Sequence, residues 1–125
     1  MCVPFRRPTP FPQQSLLAAR VALALQGEER ASFSRQVYAA EFGEGMSIAD
    51  RTVLASLLAG YGVDAEAAMD RAESDANKAA LKAECARAAE IGIVGAPSIV
   101  AGDGEVFWGN DRLEQGLDWA ARARL

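Results

Sequence analysis

The hydrophobic period of this chain changes once, at Gly92, and that change limits what it can fold into. Before Gly92, apolar residues recur at three- and four-residue spacing, the pattern of amphipathic helices. After it, Ser98-Ile99-Val100-Ala101 and Glu105-Val106-Phe107-Trp108 flank Gly102-Asp103-Gly104, which predicts one hairpin. A last helix follows, with Leu113, Leu117 and Ala120 or Ala121 at helical spacing. The expected order is five helices, a hairpin and a helix, a mostly α class. A lone hairpin is marginal in water. The last helix can cover one of its faces, so the sheet is expected to be incomplete within the 125 residues.

The helical part punctuates itself. Ser15 is a candidate N-cap for a helix whose Leu17, Val21 and Leu25 share a face up to Gly27. Glu28 to Phe42 reads as a second helix, with acids in its first turn, Phe33, Val37 and Ala40 on one face, and Gly43 as its stop. Ser47-Ile48-Ala49-Asp50 has the spacing of a capping box ahead of a third helix, whose stripe is Val53, Leu54, Leu57 and Leu58. Asp64 caps a short fourth helix, to about Arg71. Ser74 or Asp75 opens a fifth to about Ile91, whose many alanines favour helix and permit close helix approach. Gly92 is its expected C-terminal cap.

The first fourteen residues are an extended lead-in. Pro4, Pro8, Pro10 and Pro12 each remove a backbone donor, and Phe5 and Phe11 are expected to pack over the core. No stretch is long enough to cross a bilayer, and Arg20 interrupts the best apolar run, Leu16 to Leu25. That interruption also argues against a signal peptide, so a soluble cytoplasmic protein is expected. Histidine is absent, which removes His-based triads, His general bases and nearly all zinc and copper sites. Cys2 and Cys85 form no C-x-x-C pair and are expected to be reduced. The net charge of -4 excludes a basic nucleic-acid footprint. Residues 1–40 hold five arginines against two glutamates, a net of +3, while residues 41–125 hold eight basic against fifteen acidic residues, a net of -7.

The residues with chemical potential lie after Gly92. If Ala96-Pro97 is cis, the N–H and C=O of Ala96 face outward and can pair with an extended peptide-like ligand as an added strand does. A proline just before a strand is otherwise an entry or edge residue. Asn110 and Asp111 are cap-type residues at the start of the last helix. The same position suits a ligand that carries a carboxylate and an ammonium together, the first for helix-start N–H groups and the second for Asp111.

The run Gly92-Ile93-Val94-Gly95-Ala96-Pro97-Ser98-Ile99-Val100, followed by Phe107-Trp108-Gly109-Asn110-Asp111-Arg112-Leu113, resembles the end of the 2-hydroxychromene-2-carboxylate isomerases and their kappa-class glutathione transferase relatives. Val3-Pro4-Phe5-Arg6, Phe11-Pro12-Gln13 and Leu16-Leu17-Ala18-Ala19-Arg20 resemble the start of that family's helical insertion, and Asp50 to Leu58 with Gly62-Val63-Asp64 also fits. The resemblance implies a DsbA-type thioredoxin-like fold, with residues 1–92 a helical insertion domain and residues 93–125 the C-terminal half of a thioredoxin-like domain. It implies glutathione as cofactor, bound by Ala96 and the cis residue Pro97 on its backbone and by Asn110 and Asp111 at its γ-glutamyl end. Trp108 is expected to pack beneath them. The implied substrate is a small aromatic acid, in a pocket that Phe5, Phe11, Phe33, Tyr38 and Phe42 can line if they are not core.

The family's catalytic serine sits in a strand–turn–helix–strand segment that Met1 to Gln14 cannot supply. Ser15 lies in the insertion, and Cys2 lacks the turn that lowers a thiol pKa. The chain is therefore expected to correspond to the later portion of such an enzyme, with no catalytic or metal-binding residue of its own and no isomerase activity alone. A homodimer, or pairing with an N-terminal half, would complete the sheet. Two other readings use the same residues: part of a DsbA-like thiol-disulfide oxidoreductase, and a non-enzymatic helical interaction module.

Overall fold

Residues 3–123 are described from a computed structural model of the chain. Contacts divide it into two compact units, one ending at Leu81 and the other beginning at Lys82. The division falls within a long helix, whereas the domain boundary read from the sequence lies just past that helix's C-terminal end. The class is mostly helical with one small antiparallel hairpin. Among the described residues, no helix is long and apolar enough to cross a membrane.

The first unit is built on α1 (Leu16–Ala24), α2 (Gly27–Ala39), α3 (Arg51–Ala59) and α4 (Ala65–Glu73). Helix α1 packs on α2 and α4, and α3 packs on the same two. Their apolar stripes meet in one core, where Val21, Leu25, Phe33, Leu54, Leu58 and Met69 are the largest fully buried side chains. Each such side chain contributes about 1.5–3 kcal/mol by leaving water. Ala18, Ala68 and Ala72 complete the core, their small side chains leaving room for α1 and α4 to lie close.

Helix ends need partners for their orphan groups. Asp50 accepts from Thr52 N–H at 2.8 Å, Asp64 from Ala67 N–H at 3.1 Å and Ser74 Oγ from Asn77 N–H at 3.2 Å. Two expected caps do not form. Ser15 makes no capping bond to α1. Ser47 donates instead to Gln13 Oε1 at 3.0 Å, so Asp50 caps α3 without a reciprocal box. The exposed carbonyls at the end of α1 are met by Arg30, which donates to Ala22 and Leu25 at 2.9 Å and to Leu23 at 3.0 Å.

The second helix also differs from its sequence reading. Its α register stops at Ala39, and a π-helical turn, Ala40–Glu44, carries the chain through Gly43. Gly45, at φ +72°, ends it, and Met46 N–H donates back to Ala40 at 2.8 Å. The lead-in lies against this turn. Arg6 N–H donates to Phe42 C=O, and Phe5 stacks on Phe42 with ring centroids 6.3 Å apart. Phe5 and Phe11 remain exposed; Pro8 is the buried residue of the segment. Thr9-Pro10 and Phe11-Pro12 are cis, as is Ala96-Pro97.

Helix α5 (Asp75–Glu90) starts in the first unit and ends in the second; none of its residues is fully buried, and Asn77, Leu81 and Ala88 are half-buried. Gly92, at φ +88°, closes it, with Gly92 N–H on Ala89 C=O at 3.1 Å and Ile93 N–H on Ala88 C=O at 3.0 Å. Strands β1 (Ser98–Val100) and β2 (Val106–Trp108) pair antiparallel with Ile99 opposite Phe107. Helix α6 (Leu113–Arg122) packs on both strands. Its buried residue is Gly116, not one of its leucines: a Cβ there would lie 3.1 Å from Ile99 Cδ1 and 3.3 Å from Phe107 Cβ, and Trp119 packs on Phe107 with ring centroids 6.1 Å apart. Leu113 and Leu117 are exposed.

This division between core and surface predicts that Leu54→Ala lowers the urea unfolding free energy by about 2–5 kcal/mol, through lost burial and a residual cavity. Leu16→Ala, on the exposed start of α1, should cost under about 1 kcal/mol. Equal losses at the two positions would contradict the placement of the core.

Candidate functional site

Two short loops meet at one end of the hairpin. The first, Gly95-Ala96-Pro97, enters β1; the second, Gly109-Asn110-Asp111, leaves β2 and opens a 3-10 turn, Asn110–Arg112, that leads into α6. They are joined directly: Gly109 N–H donates to Pro97 C=O at 2.9 Å. One residue further into β1, Ser98 Oγ donates to Gly95 C=O at 2.5 Å and fixes the turn from the other side.

Ala96 is exposed, and its N–H and C=O have no backbone partner among the described residues. An exposed, unpaired peptide group beside a strand is what an added strand binds. Gly109 adopts φ +107°, which L side chains rarely adopt, and a Cβ there would collide with the Asp111 carboxylate. A glycine is thus required where the carboxylate folds back over the backbone. Asn110 and Asp111 are exposed and cap nothing: the 3-10 turn has no side-chain cap, and neither has α6. The capping role considered for them from sequence is absent, and the Asp111 side chain has no hydrogen-bond partner among the described residues. Ala96, Pro97, Asn110 and Asp111 thus lie on two loops tied at the Gly109–Pro97 bond.

Trp108 does not sit buried beneath these residues. It is 57% exposed and lies over Gly95, where a Cβ would be 2.6 Å from its Nε1. A recess of about 330 Å³ beside β2 is lined by Trp108, Arg112 and Gln115, among others, but not by Ala96 or Asp111. Cys85 is an exposed free thiol on α5, and Cys2 lies outside the described residues. Among the described residues no group of His, Cys, Asp and Glu can hold a metal ion.

One residue escaped the sequence reading. Glu41 follows Val37 by one helical repeat, so the stripe of Phe33 and Val37 ends in a carboxyl group. Glu41 is 3% exposed and lines a cavity of about 360 Å³ in the first unit. Phe11, Phe33, Tyr38 and Phe42 line the same cavity; Phe5 does not. The signal was present in the spacing, since an acid on a buried helical stripe is unusual.

Around the hairpin turn, Asp103 accepts from Trp119 Nε1 at 2.8 Å and from Glu105 N–H at 3.2 Å. The Trp119 bond foremost, then the backbone N–H, holds its carboxyl below the ordinary aspartate range. A lowered folded-state pKa stabilises above the unfolded value, and that contribution is lost as pH falls through the folded one. Trp119 emission, read with Trp108→Phe in place, should therefore titrate in acid below the usual aspartate midpoint. Asp103→Asn should abolish the transition, and its persistence would contradict the assignment.

The DSBA-like thioredoxin domain family matches residues 1–118. A 2-hydroxychromene-2-carboxylate isomerase of Sphingobium xenophagum is 31% identical over 94 residues, covering 74% of this chain and 48% of that protein. A solved selenomethionine structure of a 2-hydroxychromene-2-carboxylate isomerase superposes with a TM-score of 0.83 at 23% identity, over 97% of this chain and 59% of that one, and shows the shared fold. The chain thus spans about half the length of the isomerase it matches in sequence. With a proline loop, hairpin and covering helix in that order, and a match over nearly its whole length, the chain belongs to the DSBA-like thioredoxin domain family.

Proposed function

We propose that this chain provides the glutathione-binding part of a glutathione-dependent isomerase of the 2-hydroxychromene-2-carboxylate type, acting on a small aromatic acid. The observation that carries the reading is the unpaired peptide group of Ala96, tied through Pro97 and Gly109 to an unpartnered Asp111 carboxylate. The sequence match to an isomerase supports it.

The residues fit the tripeptide. Ala96 N–H and C=O pair with its main chain as a neighbouring strand would. The N–H groups of Asn110 and Asp111, which have no backbone partner among the described residues, receive its α-carboxylate, and the Asp111 carboxylate holds its ammonium group. Glutathione, when bound, supplies a thiolate that adds reversibly to a conjugated acid and frees a fixed bond to rotate. The contribution of these residues is to orient that reactant. No residue of the chain is assigned a catalytic role. The two open edges of the hairpin favour association with another chain, a second copy or a segment that extends the sheet.

Calorimetric titration with glutathione tests the reading. Binding is expected for the chain as it stands, and Asp111→Ala should weaken it about tenfold, the usual scale for one charge-assisted contact. Unchanged affinity in a folded Asp111→Ala protein would remove Asp111 from the site, and absence of binding by the unaltered chain would overturn the proposal.

A further inference from the structure

The cavity of the first unit lies between the lead-in, α1, α2 and the π-helical turn; its lining is mainly apolar, with Gln13, Ser15 and Ser34 as polar members and Glu41 as its one acid. Ala18, Ala22 and Phe33 form its inner side, Tyr38 and Phe42 its outer side, and Glu41 lies among them. Its volume of about 360 Å³ falls in the range of small-molecule sites, about 300–1,000 Å³. Glu41 is nine-tenths buried or more, at 3% exposure. Its Oε2 accepts one long bond from Ile48 N–H at 3.4 Å, and Oε1 has no partner among the described residues. A carboxyl group has room for about four hydrogen bonds, so Glu41 keeps capacity to accept from a ligand. The π-helical turn that follows α2 carries it there.

We propose that this cavity is a binding site for a flat apolar molecule bearing a hydrogen-bond donor, of the phenol class, with the hydroxyl donating to Glu41 Oε1 and the ring against Phe33 and Phe42. Size and lining select the ring, and the unpartnered oxygen selects the donor. A carboxylate-bearing ring is disfavoured, because its carboxylate would face the Glu41 carboxyl group, an acceptor with no donor to offer it. The phenol preference sets this cavity apart from the aromatic-acid pocket expected from sequence at Phe11, Phe33, Tyr38 and Phe42, and the inference does not rest on the glutathione contacts, since it uses no residue of that site.

Saturation-transfer NMR and calorimetry with three probes of one ring system test this. 2-Naphthol should bind at least about tenfold more tightly than 2-naphthoate or naphthalene, the scale of one hydrogen bond to a charged or strongly polar acceptor. Glu41→Gln, close in shape, should shrink the preference for naphthol over naphthoate at least about threefold. Ala22→Phe, which fills the inner wall, should abolish binding of all three while far-UV circular dichroism is retained. Naphthoate binding as tightly as naphthol, no binding of naphthol to the folded protein, or an undiminished preference in Glu41→Gln would each overturn the proposal. No glutathione enters these experiments, so their outcome is separate from that of the calorimetry with glutathione.

Discussion

A single backbone hydrogen bond, from Gly109 N–H to Pro97 C=O, sets the geometry on which the candidate glutathione site rests. It joins the loop that enters β1 to the loop that leaves β2, beyond the last paired residues Ser98 and Trp108. Because it uses the carbonyl of Pro97, it leaves the peptide group of Ala96 unspent. Because its donor is a glycine at positive φ, the next turn can fold the Asp111 carboxylate back over the backbone. On the proposed reading, a backbone group that accepts and donates as a strand, beside the Asp111 carboxylate and two N–H groups without backbone partners among the described residues, receives the ends of an amino-acid-like ligand. The hairpin that carries these loops is too small to stand by itself, and α6 steadies it. The contact is close because Gly116 has no side chain to hold Ile99 and Phe107 away.

The helical unit answers to a different constraint. Its four helices share one apolar core, and their ends are met by Asp50, Asp64, Ser74 and Arg30. Within that unit Glu41 stands out as the one buried charged-type side chain among the described residues. Its neighbours provide a single long bond, which leaves Oε1 without a partner among the described residues at the wall of a cavity.

The order of elements was legible in the sequence because period carries it. Leu54 and Leu58, four apart, are both sealed in the core, and the Ile99 and Phe107 pairing follows from the turn between them. The caps at Asp50 and Asp64 were legible for the same local reason. What was not legible depends on long-range choices. Ser47 prefers Gln13, thirty-four residues away, to a local box. Helix α6 turns Gly116 rather than its leucines to the hairpin, since close approach to two large side chains leaves no room for a third. The alanines of α5 read as permitting close helix approach, yet all but the half-buried Ala88 are exposed. At the site, Ala96, Pro97, Asn110 and Asp111 were named from motif and resemblance. Their junction through Gly109 was not, because a backbone bond between loops leaves no trace in side-chain pattern.

The central claim is that the Ala96 peptide group and the Asn110–Asp111 turn form one surface for an amino-acid-like main chain. The most direct measurement follows backbone amide resonances of the nitrogen-15-labelled chain as glutathione is added. The account predicts that the amides of Ala96, Asn110 and Asp111 shift together along one saturation curve while those of Leu54 and Met69 stay in place. Shifts confined to other residues, or separate curves for Ala96 and Asp111, would contradict it.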